Sequence, residues 1–394
     1  MTDSIRALTL ADYPEALRLG AEAFGPPPPG AVPEAPDVWP PNGLHSSGTF
    51  RGGRMAAKMS ARELASWFDG VEVPTSGISS VTVAAEHRGE GLLTDLFGRL
   101  LSESRERGEV ISTLYPTAPG IYRKFGYEIV GTLRQVEIPT AQLSGVQPVE
   151  GLWTRRATTD DVPAVTATYT AWAREQSGPI TRTTALFDPG DVLRENRSVT
   201  LVVDAEDTVR GYAVWTRGAG YDAASTLDVE DLVALDAEAN RALWRMLGSW
   251  ASVTGAVRLW TSGDDVTRLS LPTRAWSEVK TNSYMLRLLD VPGAFALRSA
   301  PEGLAADLPF RVEGDRTGMI DGSYRLDVEH GAVGCTTAGP AGRSYTPQGI
   351  ALAWSGAQSS ADIRRAGHLT GPTTDDRIWD ALFGCAQIHV RDYF

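Results

Sequence analysis

The segment from Val81 to Leu101, VTVAAEHRGEGLLTDLFGRLL, changes character halfway. Its first residues read as a buried strand and its last as an amphipathic helix, and the join holds Arg88, Gly89, Glu90 and Gly91. Amides at a helix start lack intrahelical partners and carry partial positive charge, so such a turn is a ready anion site. Glycines at positions 89 and 91 keep side chains away from those amides, and Arg88 adds a full positive charge. The chemistry on offer is the binding of a phosphate or pyrophosphate. Glycine turns also simply end strands, and the residues alone leave both roles open. No Gly-Lys-Ser/Thr follows, which excludes a Walker loop, and the spacing is not GxGxxG, which argues against a Rossmann dinucleotide site.

Other chemistry-bearing residues are sparse. His45, His87, His330, His368 and His389 have no HExxH or similar spacing, and Cys335 and Cys385 are too few for a disulfide framework or a structural zinc site. No metal is expected, and the thiols read as free and partly buried. Asp37 and Trp39 sit in GPPPPGAVPEAPDVWPPNG, from Gly25 to Gly43, whose prolines demand a loop. A Trp in a loop either plugs into a core or lines a pocket. An acid beside an aromatic face attracts a cation, which makes the pair a candidate amine site. Acidic residues outnumber basic ones by 49 to 37, for a net charge of -12. That argues against a nucleic-acid partner and favours a cationic ligand. The opening MTDSIRALTLADY lacks the basic patch and apolar core of a signal peptide, and no charge-free apolar run is long enough to span a bilayer, so a cytoplasmic protein without a membrane partner is expected.

The elements that must position these residues repeat. A length of 394 residues favours two or three domains. The helix start Thr9-Leu10-Ala11-Asp12, followed by the apolar positions Leu17, Leu19 and Phe24, returns at Thr158-Thr159-Asp160-Asp161. Thr9, Asp12 and Pro14 correspond to Thr158, Asp161 and Pro163 at an offset of 149, and Val83-Ala84-Ala85-Glu86 corresponds to Val233-Ala234-Leu235-Asp236 at 150. Two matches at nearly one offset indicate a duplicated mixed α/β unit. The second copy has Glu238-Ala239-Asn240-Arg241 where the first has its glycine turn, so it is expected to keep the fold and lack the anion site. Leu243, Trp244 and Leu247 read as the core stripe of its helix. After Pro301 the pattern shifts again. YRLDVEHG, from Tyr324 to Gly331, and IALAWSG, from Ile350 to Gly356, read as strands, and helical patches follow near Ala361 to Ala366 and Asp376 to Phe383, as in a small α+β domain.

A strand, then R-x-x-G, then an amphipathic helix resembles the coenzyme A pyrophosphate loop of GNAT acetyltransferases, Q/R-x-x-G-x-G/A. Arg88 and Gly91 match, with Leu93 in place of the last small residue. GIYRKFGYE, from Gly120 to Glu128, is similar to the Y-x-x-x-G-F/Y segment that closes the GNAT thiol site, with Tyr122 first and Gly126-Tyr127 last. Two such units, the segment DLVALDAEANRALWRML, the junction LRLLDVPGAFALR and a small domain containing DGSYRLDVEHG together resemble the Eis family of N-acetyltransferases, in which an R-G-L-L type loop is usual. The resemblance implies a mixed α/β fold of two tandem GNAT domains, residues 1–148 and 149–292, the second without the CoA loop. A sterol-carrier-protein-like α+β domain, residues 293–394, would follow and supply the C-terminus.

The same resemblance assigns roles. Val81, Thr82 and Val83 would bond the pantetheine arm of acetyl-CoA, with the Val83 amide facing the thioester oxygen. Amides of Gly89, Glu90, Gly91, Leu92, Leu93 and Thr94, together with Arg88, would hold the pyrophosphate, and Thr117 and Ala118 would touch the cofactor. Tyr122 would protonate the departing sulfur, and the α-carboxylate of Phe394 would take the proton from the substrate ammonium. A thiol titrates near about 8.5 and a tyrosine near about 10, so that donor is loaded at neutral pH. Taken alone, Tyr122 is more readily a core tyrosine than a catalytic one, and a terminal Phe is more often frayed than functional. The implied activity is acetyl transfer to polyamines or aminoglycoside-like amines by a homo-oligomer, a hexamer by resemblance. The rival from another class is a carrier or sensor that binds CoA and a lipid without turnover.

Overall fold

The structure, a computed structural model, describes residues 4–26, 36–194, 197–271, 274–384 and 387–394. Cys385 and residues 27–35 of the proline-rich segment lie outside them. Among the described residues, twelve strands join in one sheet: β1 (Ser4–Ala7), β2 (Leu44–Arg51), β3 (Arg54–Phe68), β4 (Val71–Val83), β5 (Ile111–Leu114), β6 (Glu128–Pro139), β7 (Trp153–Arg156), β8 (Ser198–Val203), β9 (Val209–Arg217), β10 (Thr226–Ala234), β11 (Ala256–Ser262) and β12 (Ser277–Leu288). Across the sheet they run β1-β2-β3-β4-β5-β12-β6-β11-β10-β9-β8-β7. Each half sends its last strand toward the other. β6 pairs with β11 from Pro139 opposite Ala256 to Leu133 opposite Ser262, and β12 pairs with β5 from Leu288 opposite Ile111 to Met285 opposite Leu114.

The duplication extends to side chains. In the first half the Asp12 carboxylate accepts from the Thr9 amide at 2.8 Å and from both terminal nitrogens of Arg6 at 2.7 Å. In the second, Asp161 accepts from the Thr158 amide at 2.8 Å and from Arg155 at 2.8 and 2.9 Å. Each cluster caps a helix, α1 (Tyr13–Phe24) or its counterpart α4 (Val162–Arg174). On α1, Ala16 and Leu19 are buried, while Phe24, expected on the apolar face, is exposed because it stands at the final turn. The long helices that follow the two central strands are α2 (Leu93–Glu106) and α5 (Ala237–Gly248), with the short α3 (Pro119–Arg123) between α2 and α4 in the chain. Leu243, Trp244 and Leu247 of α5 are fully buried, as the stripe implies.

The remaining elements are the short α6 (Thr267–Ser270), α7 (Val291–Ala296), β13 (Ala306–Val312), β14 (Gly322–Glu329), β15 (Ala332–Thr337), β16 (Ser344–Tyr345), α8 (Pro347–Ser355), α9 (Ser360–Arg365), β17 (Leu369–Thr370) and α10 (Asp376–Phe383). The five strands form a second sheet, ordered β15-β14-β13-β16-β17. Residues 350–356, expected as a strand, form the end of helix α8 and its C-terminal cap. The Thr346 hydroxyl accepts from the Gly349 amide at 3.1 Å, Pro347 occupies the first turn, and Gly356 closes the helix at φ 70°. Every α8 residue except Gln348 is buried, so the run carries no amphipathic period to separate helix from strand. Arg287 on β12 ties this region to the first half, donating to the Phe125 carbonyl at 2.6 Å and pairing with buried Asp315 at 3.2 Å.

Candidate active site

The glycine turn has the form that an anion site requires. Gly89 and Gly91 lie at φ 83° and 81°, where a side chain is strained, and a Cβ on either would meet nothing within 4 Å. Within the turn, the amides of Arg88, Glu90 and Thr94 donate to the carbonyls of Ala85, His87 and Gly91. Those of Gly89, Gly91, Leu92 and Leu93 have no backbone partner among the described residues. Leu92, at the cap of α2, offers no side-chain acceptor. The contrast with α5 is direct: there the Asp236 carboxylate accepts from the amides of Glu238 and Ala239 at 3.0 and 2.8 Å. The second helix start is therefore filled by its own acid, and the first is open. Arg88 is exposed at the turn. Arg51, which the sequence does not single out, reaches the turn from the end of β2 and pairs with Glu90, lowering its pKa; His87 lies 3.4 Å from the same carboxylate.

Beside the turn the sheet parts. β4 and β5 pair in parallel only at Thr75 with Ile111, Ser76 with Ser112 and Gly77 with Thr113. β4 then continues to Val83 with its β5 side unpaired. A register shift against β3, with Ser80 at φ 54°, marks a bulge that turns the strand away. Val81 and Val83 are half-buried, while Thr82 is buried with a hydroxyl that has no partner among the described residues. A free strand edge, an orphaned hydroxyl and open helix amides in sequence fit an extended amide-bearing chain that ends in a diphosphate, as in coenzyme A.

Tyr122, on α3, is 6% exposed, with its ring 6.0 Å from Phe97 and 6.4 Å from Tyr127. Burial raises its pKa above the ordinary tyrosine value; the nearby Thr117 side chain offsets this in part and Tyr393 adds to it. Thr117 and Ala118 are exposed just ahead of it. A Cβ on Gly77, the last residue of β4 that pairs with β5, would come within 2.9 Å of the Phe394 ring. The Tyr115 ring meets those of Tyr393 and Phe394 at 4.6 and 5.5 Å, and its hydroxyl donates to the Asp392 carbonyl at 2.7 Å. Phe394 is therefore held where β4 and β5 diverge.

Asp37 and Trp39 lie elsewhere. Trp39 is half-buried and packs against Tyr13 at 5.4 Å, at the edge of the cluster of Leu8, Ala16, Leu19, Phe50, Met55 and Ala84; Asp37 is at the surface. A cavity of about 880 Å³ opens instead against the second half, with Asp188, Asp228, Glu230, Asp231, Asp392 and Tyr393 on its wall. These acids carry no motif and went unmarked in the sequence. Arg194 and Arg197 pair with Asp191 and Glu230 at 2.6 and 2.7 Å, whereas Asp188 and Asp228 have no cationic partner among the described residues.

The tail carries a titratable anchor. The His389 amide donates to the Ser177 carbonyl at 2.7 Å, and the ring lies 6.4 Å from Trp172. Burial, and then the charge of Arg391, push its pKa down to about 4, with Asp265 and Asp264 pulling the other way. The unfolded chain takes up this proton near pH ~6.5 and the folded chain does not. Stability is therefore full above that pH and falls as pH drops toward 4, by about 3 kcal/mol from this group. Denaturant unfolding at pH 7.5 and 4.5 is expected to give a smaller difference for His389→Asn than for the unaltered chain; equal differences would refute the assignment.

Known proteins match this arrangement. Residues 4–130 and 178–288 each match an acetyltransferase (GNAT) domain model. An uncharacterized N-acetyltransferase of Streptomyces griseus is 29% identical over 315 residues, 74% of each chain. N-acetyltransferase Eis of Mycobacterium tuberculosis is 27% identical over 58% of each. Among solved structures, a GCN5-related N-acetyltransferase of Kribbella flavida is 28% identical with a TM-score of 0.82, covering 100% of this chain and 99% of its own. Eis1 of Mycobacterium abscessus shares the fold at 22% identity, with a TM-score of 0.79 and all of both chains covered. Among the described residues no cluster of three metal-ligating side chains occurs, and no helix is long and apolar enough to cross a membrane. GNAT acetyltransferases use acetyl-CoA, and this chain carries two tandem GNAT acetyltransferase domains on one continuous sheet, an acyltransferase similar to the N-acetyltransferases named above.

Proposed function

We propose that the protein acetylates primary amines of polyamine or aminoglycoside-like cations, with Tyr122 as general acid and the Phe394 carboxylate as general base. The observation that carries this reading is the pinned terminus, with the Phe394 ring against Gly77 at the strand divergence and the Tyr115 ring packed on those of Tyr393 and Phe394. Acetyl-CoA, when bound, supplies an acetyl group activated as a thioester. Arg88 and the open amides of Gly89, Gly91, Leu92 and Leu93 would hold its diphosphate, Val81 to Val83 its pantetheine arm, and Thr117 and Ala118 its inner end. The terminal carboxylate accepts the proton that the substrate ammonium must lose before it can attack, and buried Tyr122, held in its neutral form, donates to the sulfur as it departs. Asp188 and Asp228 on the cavity wall, which also carries Lys280, offer two carboxylates that could take an amine.

In this reading residues 1–148 are the catalytic unit, 149–292 the second GNAT unit and 293–394 a sterol-carrier-like domain that delivers the terminus. A lipid-carrier role has less support, because the rings of Phe295, Phe310, Trp379 and Phe383 fill that domain's interior with centroids 5.3 to 6.1 Å apart. The test is release of free thiol from acetyl-CoA against a panel of polyamines and aminoglycosides, with products read by mass spectrometry. Amine-dependent release is expected. Retained CoA binding with no release across the panel would overturn the proposal.

A further inference from the structure

The second GNAT unit has no open helix start, yet it keeps the parted strands. β10 and β11 pair in parallel from Thr226 with Ala256 to Val229 with Leu259 and no further, and β10 carries a register shift at Glu230. Glu230 stands 150 positions after Ser80, the bulged residue of the first unit, so the duplication preserved both the bulge and the divergence. One step on, where the first unit has Val81, the second has Asp231, 5% exposed. The gap is occupied by the chain's own terminus. The Arg391 guanidinium donates to the Thr261 hydroxyl of β11 at 3.2 Å, lies 4.0 Å from Asp231 of β10 and 3.6 Å from Asp265, and stacks on Trp172 at 4.8 Å. The Val390 amide donates to the Ser262 hydroxyl at 2.7 Å.

Arg182 completes the enclosure. It bridges Asp231 at 2.9 Å and Asp392 at 3.0 Å and lies over the Tyr169 ring at 3.8 Å, while its backbone holds φ 56°. A non-glycine residue persists in that conformation only where its surroundings over-determine it. Asp231 also accepts from the Tyr212 hydroxyl at 2.8 Å. From Arg391 the chain needs only three more residues, a span of roughly 10 Å, to bring Phe394 to the divergence of β4 and β5.

We propose that the second unit's parted strands serve as a clamp for the C-terminal segment, with Asp231, Arg391 and Arg182 as positioning residues that fix the Phe394 carboxylate in the first unit's active site. An acid at the place of Val81 turns a groove suited to an acyl-carrying arm into a socket for a guanidinium, which gives the degenerate copy a task. This rests on the reading of Phe394 as the base, and the test separates the two.

Full-length Arg391→Met and Asp231→Asn are compared with the unaltered enzyme for kcat, for acetyl-CoA affinity and for the rate at which a carboxypeptidase removes the terminal residues, followed by mass spectrometry. Retained acetyl-CoA binding reports a folded first unit, and Thr261→Val, which leaves no charge unpaired, keeps the test open should either variant fail to fold. The expected result is faster terminal release and a kcat lower by about 100-fold, the scale of a ~1 Å misplacement, at unchanged acetyl-CoA affinity. A terminus as well protected in the folded variants as in the original would overturn the clamp. Rapid release with kcat unchanged would instead overturn the general-base reading and leave the clamp standing.

Discussion

Replacing Tyr122 by phenylalanine is expected to lower kcat by about two to four orders of magnitude, the usual range for loss of a positioned general acid, while acetyl-CoA affinity changes little. The substitution removes one oxygen and leaves the ring where it packs, against Phe97 and Tyr127. Thr117 is exposed, so water replaces whatever bond its hydroxyl loses, and no buried donor is stranded. The fold and the pyrophosphate turn, which approach the site through separate elements, should be untouched. The pH dependence offers an independent check. Burial raises the Tyr122 pKa, so the hydroxyl stays protonated up to at least its ordinary value near about 10 and should impose no fall in kcat around pH 8. Equal turnover in Tyr122→Phe would remove the residue from the mechanism, and single-turnover acetyl transfer measured beside the acetyl-CoA dissociation constant separates chemistry from binding.

What the sequence discloses here divides along a physical line. Local chemistry is legible: the strand, the glycines and Arg88 are read from adjacent residues, and the open helix start agrees with them. The degeneracy of the second unit is also visible as lost glycines, although the acid that fills its helix start is Asp236, two residues before the one the alignment of copies points to. Long-range pairing is not legible. Nothing within β12 announces that it lies between β5 and β6, because a strand's partner is set by register with residues more than a hundred positions away. IALAWSG fails for a different reason, since a run buried on every side carries no period to read. Arg182 and Arg391 lack any local signal at all: each is one of many arginines until the fold sets both around Asp231.

Appending a single glycine after Phe394 is expected to reduce kcat by about 100-fold or more, with acetyl-CoA affinity unchanged. The added residue leaves the Phe394 ring free to keep its place against Gly77 and Tyr115, so the anchor survives. It converts the Phe394 carboxylate to an amide carbonyl and carries the charge about 3.5 Å further along the chain. A general base must stand within hydrogen-bond reach of its proton or act through one water, and a displacement of that size exceeds the tolerance. A C-terminal amide made by ligation is the sharper form of the experiment, because it removes the charge at the same place and moves nothing. A merely structural terminus would tolerate the amide, since the ring contacts and the bond from the Tyr115 hydroxyl to the Asp392 carbonyl are all retained. Loss of turnover in both forms, with thermal stability and acetyl-CoA binding intact, is therefore specific to the carboxylate acting in the reaction, and an amidated enzyme of full activity would require that the base be sought elsewhere.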